Sequence, residues 1–248
     1  SIDEQCQKMT MNDLKAHFRP EFLNRLDEII MFKPLTKTNI RSIIDLLVKD
    51  VNRRLEEKEL QIVGDIPIYV ALDSADVWSH PELFQLDEEN LTPLKVSGVP
   101  PDAFSEDGQL WGNPLYDWEK MKQTDFAWWR SRMKASAKLY DAVRIDHFIG
   151  VVQYYAIPYG AVTAKDGEWE KGPGKKLTDA LDEAAGETKI IAEDLGVFCQ
   201  EVKDLLAETG YPGMKIIEFA FSGDRFNEHL PHCYDPNSVV YGGTHDNE

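Results

Sequence analysis

Beyond residue 63, short apolar runs alternate with longer polar or helical stretches along the sequence. Runs of this length are typical of β-strands separated by helices, so they indicate an α/β fold built from βα repeats. The sequence between them predicts helices over 117–140 and 197–209. Residues 79–116, rich in proline, glycine and aromatic side chains, predict a functional loop or a small insertion. The strand candidates are 66–70, 142–145, 189–192, 215–219 and 238–241.

Three of these strand candidates are followed by an acidic residue: Asp146 and Glu193 come directly after 142–145 and 189–192, and Asp246 follows 238–241 after four intervening residues. In a βα barrel the carboxyl ends of the strands open into one mouth, so acids at those ends converge although they are distant in sequence. Converging carboxylates suit glycoside chemistry, in which one is the nucleophile and another the proton donor. An acid at a strand end also serves as a helix cap or an ion-pair partner. The pattern alone leaves both interpretations open.

The composition restricts the partners and the compartment. A net charge of −17 over 248 residues argues against nucleic acid or an anionic membrane as partner. No apolar run is long enough to cross a bilayer, and no secretory signal pattern is present. The three cysteines are widely spaced and form no zinc-type cluster with histidine. The sequence therefore predicts a cytoplasmic protein with reduced thiols and without a metal or another cofactor.

The charge is distributed unevenly, which predicts a boundary near residue 63. Residues 1–63 hold 11 basic and 11 acidic residues, so the whole negative excess lies after them, as do all six tryptophans. Within the first part, residues 29–32 are a candidate for a short buried strand. A single long helix is predicted from Leu35 onward, because apolar residues recur at three- and four-residue spacing at positions 40, 43, 44, 47, 51 and 55.

Five groups of motifs follow one another between residues 64 and 248: GDIPIYVA with DSADVW, GVPPDAFS with GQLWGNP, RIDHF, AEDLG and GTHDN. With these motifs in this order, residues 64–248 resemble the central part of the 4-alpha-glucanotransferase (amylomaltase, or disproportionating enzyme) family. The resemblance implies an incomplete (β/α)8 TIM barrel, comprising about strands 3–7. It also implies the transfer of alpha-1,4-glucan segments between maltooligosaccharides, or glucans derived from starch or glycogen, by a retaining double displacement.

The same resemblance implies roles for individual residues. Asp146 would be the nucleophile, Glu193 the general acid/base, and Asp246 a third acid that holds the sugar hydroxyls and assists ring distortion. The residues implied to bind substrate are Arg144, His147, His245, Phe104, Gln109, Trp111 and Asn113. A structural role for His147 and a place in the core for Trp111 are the alternatives.

Residues 1–63 have a resemblance of their own. The stretch HFRPEFLNRLDEII, at positions 17–30, resembles the end of the second ATPase module of Clp-type AAA+ disaggregases. Arg25 matches the arginine that acts in trans on a neighbouring subunit's nucleotide. Because no phosphate-binding lysine loop is present, this mainly helical AAA+ fragment is not expected to bind or hydrolyse ATP alone.

The two resemblances meet near Val63 and Gly64. We therefore hypothesise that the sequence is a chimera of pieces from two proteins, cut at both ends. We expect such a truncated barrel to be marginally stable and inactive or nearly so, because an open parallel sheet leaves unpaired edges. Two other functions stay open from the sequence. One is an AAA+ Clp-type assembly module acting through Arg25, and the other is a glucan-binding module without turnover.

Overall fold

The computed structural model describes residues 2–23, 25, 35–102, 105–197 and 199–244. These residues divide into two compact units, one reaching to Leu60 and the other beginning at Gln61. The strand predicted over 29–32 lies outside the described residues, as do Phe104, His245 and Asp246.

The first unit contains three helices: α1 (Ile2–His17), α2 (Pro20–Leu23) and α3 (Lys37–Glu57). The long helix predicted from Leu35 is therefore present as α3. It begins after a capping box, in which the Thr36 hydroxyl accepts from the Asn39 amide at 3.2 Å and the Asn39 side chain accepts from the Thr36 amide at 3.0 Å. No residue of α3 is buried, so its apolar stripe faces solvent within the described part of this unit.

The second unit carries all nine strands that the described residues contain. Its helices are α4 (Ala75–Ser79), α5 (Trp118–Gln123), α6 (Ala127–Ala137), α7 (Ile149–Val152), α8 (Lys175–Ala185) and α9 (Gln200–Thr209). Its strands are β1 (Val63–Ile66), β2 (Lys95–Val99), β3 (Gln109–Pro114), β4 (Ala142–Ile145), β5 (Gln153–Pro158), β6 (Glu168–Lys171), β7 (Lys189–Ala192), β8 (Gly213–Ile216) and β9 (Ser238–Tyr241).

Five of these strands run parallel, in two groups. A three-stranded sheet has the order β1-β4-β7, and β8 pairs with β9. Helices pack against the face of the sheet that carries Val143 and Ile145 of β4, which are 0% and 1% exposed, whereas the opposite face carries Ala142 and Arg144. The α/β organisation predicted from the alternating pattern is thus present in this unit.

The side chain of Asp194 helps to connect the β1-β4-β7 sheet with the β8-β9 pair. The Ala192 amide donates to the Pro212 carbonyl at 3.0 Å, and the Met214 amide donates to the Asp194 carboxylate at 2.7 Å. Asp194 approaches the backbone so closely that a Cβ on Gly213 would lie 2.5 Å from its Oδ2. Glycine is therefore required at this position for steric reasons.

The predicted insertion 79–116 supplies two strands of a second, antiparallel sheet with the order β3-β2-β5-β6. In this sheet β2 pairs with β3, which follows soon after, and with β5, whose partner residues lie about sixty positions later. The segment therefore contributes two of the four strands of a sheet that it shares with β5 and β6.

The predicted bounds differ from the structure at several elements. The helix predicted over 117–140 is interrupted between α5 and α6, where Asp125 and Phe126 have φ of 50° and 54°. The helix predicted over 197–209 begins only at Gln200. The first strand covers Val63–Ile66 rather than 66–70, and residues 68–70 are buried without joining a ladder. The strand predicted over 215–219 begins and ends earlier, as β8, and a 3-10 segment (Ile217–Ser222) follows it. Phe219 of this 3-10 segment lines a cleft at the carboxyl ends of β4 and β7.

Candidate active site

Two of the three acids lie side by side at the carboxyl ends of β4 and β7. The register pairs Ile145 with Ala192, so Asp146 and Glu193 are the next residues on adjacent parallel strands. The Glu193 amide donates to the Ile145 carbonyl at 3.0 Å, which continues the ladder to this point. The sequence prediction that these acids converge is consistent with this placement, while Asp246 lies outside the described residues.

Arg144 links Asp146 to a third carboxylate that the sequence analysis did not assign. Its Nε and Nη2 donate to the two oxygens of Asp65 at 2.8 and 2.9 Å, and Nη2 also donates to Asp146 Oδ1 at 3.0 Å. The hydrogen bond with Asp65 is the largest cause that raises the pKa of Arg144. The guanidinium therefore forms ion pairs with two carboxylates, those of Asp65 and Asp146.

Asp65 could have been found in the sequence from its position. It lies on β1 directly opposite Arg144 in the register, and it interrupts an otherwise apolar strand. Arg144 binds the Asp65 carboxylate through two hydrogen bonds in one plane, which fix both the position and the orientation of the guanidinium group. The side chain of Arg144 is only 11% exposed, which strengthens both contacts.

Glu193 lies in a different environment, without a direct ion pair to Arg144. Its Oε2 accepts from the His147 amide at 2.7 Å and its Oε1 from the Leu195 amide at 2.8 Å. Burial raises the pKa of Glu193 to about 7, and the negative charge of Asp146 adds to this, while the two amides and Arg144 oppose it. A large fraction of Glu193 is therefore protonated near neutral pH.

His147 contributes its backbone to this arrangement. The residue has φ of 50°, in the left-handed region that is strained for histidine, and in this conformation its amide points at Glu193. Its ring packs edge-on against Trp111 with centroids 4.7 Å apart, and its Nε2 is buried without a hydrogen-bond partner among the described residues. Burial lowers the pKa of His147 to about 4, so the ring is neutral at neutral pH.

The antiparallel sheet brings aromatic and amide side chains to the same place. Trp111 on β3 donates from Nε1 to the side-chain amide oxygen Oε1 of Gln109 at 3.0 Å, and both side chains line the cleft. Trp111 is 39% exposed, so the structure places it at the cleft surface and not in the core. Asn113 of the same strand does not line the cleft; its Oδ1 accepts from the Ser97 hydroxyl at 3.4 Å.

One cleft of about 800 Å³ is lined by Asp65, Gln109, Trp111, Arg144, Asp146, His147 and Glu193. The cleft holds Asp146 and Glu193 on one wall and residues of the antiparallel sheet on another. A volume of this size is in the range of small-molecule sites. The residues that line it and were not assigned from the sequence include Asp65, Ile149, Trp169, Phe219 and His229.

The described residues contain no group of three or more His, Cys, Asp or Glu side chains that could hold a metal ion. In the same residues no helix is long and apolar enough to cross a membrane.

Comparison with known proteins gives consistent matches. The model of the 4-alpha-glucanotransferase family matches residues 35–248. The chain is 54% identical over 200 residues to a 4-alpha-glucanotransferase of Clostridium butyricum, which covers 81% of this chain and 41% of that relative. It is 42% identical over 244 residues to a 4-alpha-glucanotransferase of Aquifex aeolicus, covering 98% of this chain and 47% of that relative.

A solved structure agrees with these relatives. The amylomaltase from Streptococcus agalactiae in complex with acarbose has a TM-score of 0.73 and 49% identity, and it covers 77% of this chain and 39% of its own. The chain thus spans less than half the length of each of these three relatives.

The comparisons give no support for a Clp-type AAA+ segment. The family match already begins at residue 35, within the part that the sequence analysis assigned to a disaggregase, and it includes α3. The relative from Aquifex aeolicus also aligns over nearly the whole chain. The chain belongs to the 4-alpha-glucanotransferase family, and its structure is an α/β part of the amylomaltase fold.

Proposed function

We propose that this chain carries the catalytic centre of a 4-alpha-glucanotransferase, which transfers alpha-1,4-glucan segments between maltooligosaccharides by a retaining double displacement. Residues 64–248 would form the central part of the catalytic barrel, with the five parallel strands as about strands 3–7. The observation that carries the proposal is a pair of neighbouring carboxyl groups in opposite environments, Asp146 against a guanidinium and Glu193 buried on two amides.

In the first displacement Asp146 attacks the anomeric carbon of the donor while Glu193 protonates the glycosidic oxygen that leaves. The contact with Arg144 keeps the attacking carboxylate charged, and the raised pKa of Glu193 keeps a proton available near neutral pH. The products of this step are a glucosyl enzyme joined through Asp146 and a shortened glucan with a free 4-hydroxyl at its new end.

In the second displacement Glu193, now ionised, takes the proton of an acceptor 4-hydroxyl, whose oxygen attacks the anomeric carbon and releases Asp146. Water competes with the acceptor unless it is kept away from the covalent intermediate. The exposed ring of Trp111, packed on His147 beside the two acids, supports such shielding. Phe104 is proposed to contribute to the same shield.

The substrate class follows from the cleft and from the relatives. Trp111 offers a face for a glucose ring, and Gln109 and the acids offer hydrogen bonds to its hydroxyls. The relative from Streptococcus agalactiae was solved in complex with acarbose, which supports an oligosaccharide ligand. Asp246 and His245, which follow β9, are proposed to hold ring hydroxyls. Asn113 is proposed to support β3 through Ser97 instead.

The test is incubation of the purified chain with maltotriose, followed by chromatography of the products. The truncated barrel is expected to be inactive or nearly so; whatever transfer activity it retains should yield glucose together with maltotetraose and longer products, and should fall at least about 10³-fold in the variants Asp146→Asn and Glu193→Gln. Glu187→Gln, an exposed residue after α8, is the matched control and should be unchanged.

Products limited to glucose and maltose would identify a hydrolase and contradict transfer. If the folded chain and both variants bound acarbose equally without forming any product, the glucan-binding module without turnover would be the correct function.

A further inference from the structure

The guanidinium of Arg144 makes a contact at each of its three nitrogens. Nε and Nη2 donate to Asp65 on β1, and Nη2 also donates to Asp146. The remaining nitrogen, Nη1, donates to the thioether sulfur of Met214 on β8 at 3.9 Å. Contacts at all three corners of a planar group fix its orientation, whereas the paired bonds to Asp65 alone would let it turn about one edge. The contact with Met214 therefore completes the placement of the group that lies against Asp146.

The position of Met214 is itself fixed from the strand that leads to Glu193. Its side chain is 1% exposed and packs in a cluster of apolar residues from β4, β7 and β8. Its amide donates to the carboxylate of Asp194, the residue after Glu193, at 2.7 Å. A series of contacts thus runs from the end of β7 through Asp194 and Met214 to Arg144.

A thioether suits this position because it is a neutral and weak acceptor. Arg144 already forms ion pairs with two carboxylates, and its side chain is only 11% exposed. A third carboxylate at Nη1 would compete with Asp146 for the positive charge. A leucine would leave the Nη1 hydrogens without this acceptor in a largely buried place. Methionine fills the space and holds the nitrogen without adding a charge.

We propose that Met214 is a positioning residue, which holds Nη1 of Arg144 and so keeps Nη2 directed at Asp146. Met214 does not line the cleft, so it acts through the arginine and not on the substrate. This inference rests on the proposed function, because it takes Asp146 to be the nucleophile that the guanidinium serves.

Rotation of the guanidinium about its Cζ–Nε bond measures the contact directly, because exchange of Nη1 with Nη2 must break it. The rotation rate is measured on the whole chain by nitrogen exchange NMR, and the signals of Arg144 are identified by their absence from Arg144→Lys. Because rotation is measured without substrate, a rate that depends on Met214 supports the contact whether or not the chain transfers glucan.

Three substitutions of methionine separate the sulfur from the packing. Met214→Leu removes the sulfur at nearly constant volume. Met214→Gln keeps an acceptor, the oxygen of its amide. Met133→Leu is the matched control, since Met133 lies on α6 and is 0% exposed. The melting temperature of each variant is measured alongside the rotation rate.

We expect Met214→Leu to speed the rotation of Arg144 about 3- to 10-fold, as for the loss of one weak hydrogen bond. Met214→Gln should stay within about 2-fold of the unmodified chain, because an acceptor is retained. Met133→Leu should leave the rotation rate unchanged, even where it lowers the melting temperature as much as Met214→Leu does.

An unchanged rotation rate in Met214→Leu would overturn the inference. Equal acceleration in Met214→Leu and Met133→Leu would show a general loosening of the core and would also overturn it. If Met214→Leu does not fold, the methyl carbon of the intact methionine provides the test. Its NMR signal should shift in Arg144→Lys while that of Met133 stays in place, and an unshifted Met214 signal would contradict the contact.

Discussion

Replacing Glu193 by glutamine tests the burial of the acid/base directly, through the pH dependence of stability. The pKa of Glu193 is about 7 in the folded chain and close to 4.5 when unfolded. Between these values the folded state holds a proton that the unfolded state has lost. The stabilising effect is therefore complete below pH 4.5 and is lost as the pH rises through 7. At about 1.4 kcal/mol per pH unit this difference amounts to about 3 kcal/mol.

The variant Glu193→Gln is neutral at every pH, so it lacks this dependence. Its side-chain oxygen accepts from only one of the two amides that now contact the carboxylate, of His147 and Leu195. The other amide loses its acceptor, which costs about 1–3 kcal/mol at all pH values. The informative quantity is thus the change with pH of the difference between the two proteins, and not the difference at a single pH.

The assay is urea unfolding at pH 4.5, 6 and 8, followed by tryptophan fluorescence, which reports on the part of the chain after residue 63 because all six tryptophans lie there. Between pH 4.5 and 8 we expect the free energy of unfolding of the unmodified chain to fall by about 3 kcal/mol relative to Glu193→Gln. Glu187→Gln, at an exposed position, should show no such change. A constant difference across this range would refute the raised pKa and the argument built on it.

Three other substitutions test separate contacts. Arg144→Lys removes the pair of hydrogen bonds to Asp65. It should lower the rate of maltotriose disproportionation by roughly 10²-fold, measured from initial rates under conditions in which both proteins are folded. Gly213→Ala should cost about 1–3 kcal/mol in urea unfolding, and a second substitution, Asp194→Ala, should remove most of that steric penalty. Tyr116→Phe deletes a hydroxyl that donates to a buried carbonyl at 2.6 Å and should cost about 1–3 kcal/mol in the same assay.

The parallel strands could be predicted from the sequence because each is a short apolar run between polar segments. The predicted strands 142–145, 189–192 and 238–241 coincide with β4, β7 and β9. The antiparallel sheet could not be placed, because β2 contains Ser97 and Gly98 and its partner β5 is distant in the chain. Pairing at that separation is decided by tertiary contacts, which a local pattern does not contain. The break between α5 and α6 depends on two left-handed residues that no local signal marks.

The candidate site was predictable where chemistry depends on side-chain type and position along a strand. Asp146, Glu193 and Arg144 follow from the strand ends, and the structure places them together. The role of the His147 backbone could not be predicted, since it arises from a φ of 50° and not from the imidazole. The orientation of His229 likewise depends on a backbone amide of another segment.

The pairing of β4 with β7 would also bear on the stereochemistry of the proposed reaction. Neighbouring strands of a sheet are about 4.8 Å apart, and retaining enzymes hold their two carboxyl groups about 5–5.5 Å apart. Asp146 and Glu193 directly follow a matched pair of the register, so the interstrand spacing would set the separation of the proposed nucleophile and the proposed acid. Inserting one residue into either strand would turn its acid to the opposite face, so the proposed outcome at the anomeric carbon depends on backbone alignment as much as on the two side chains.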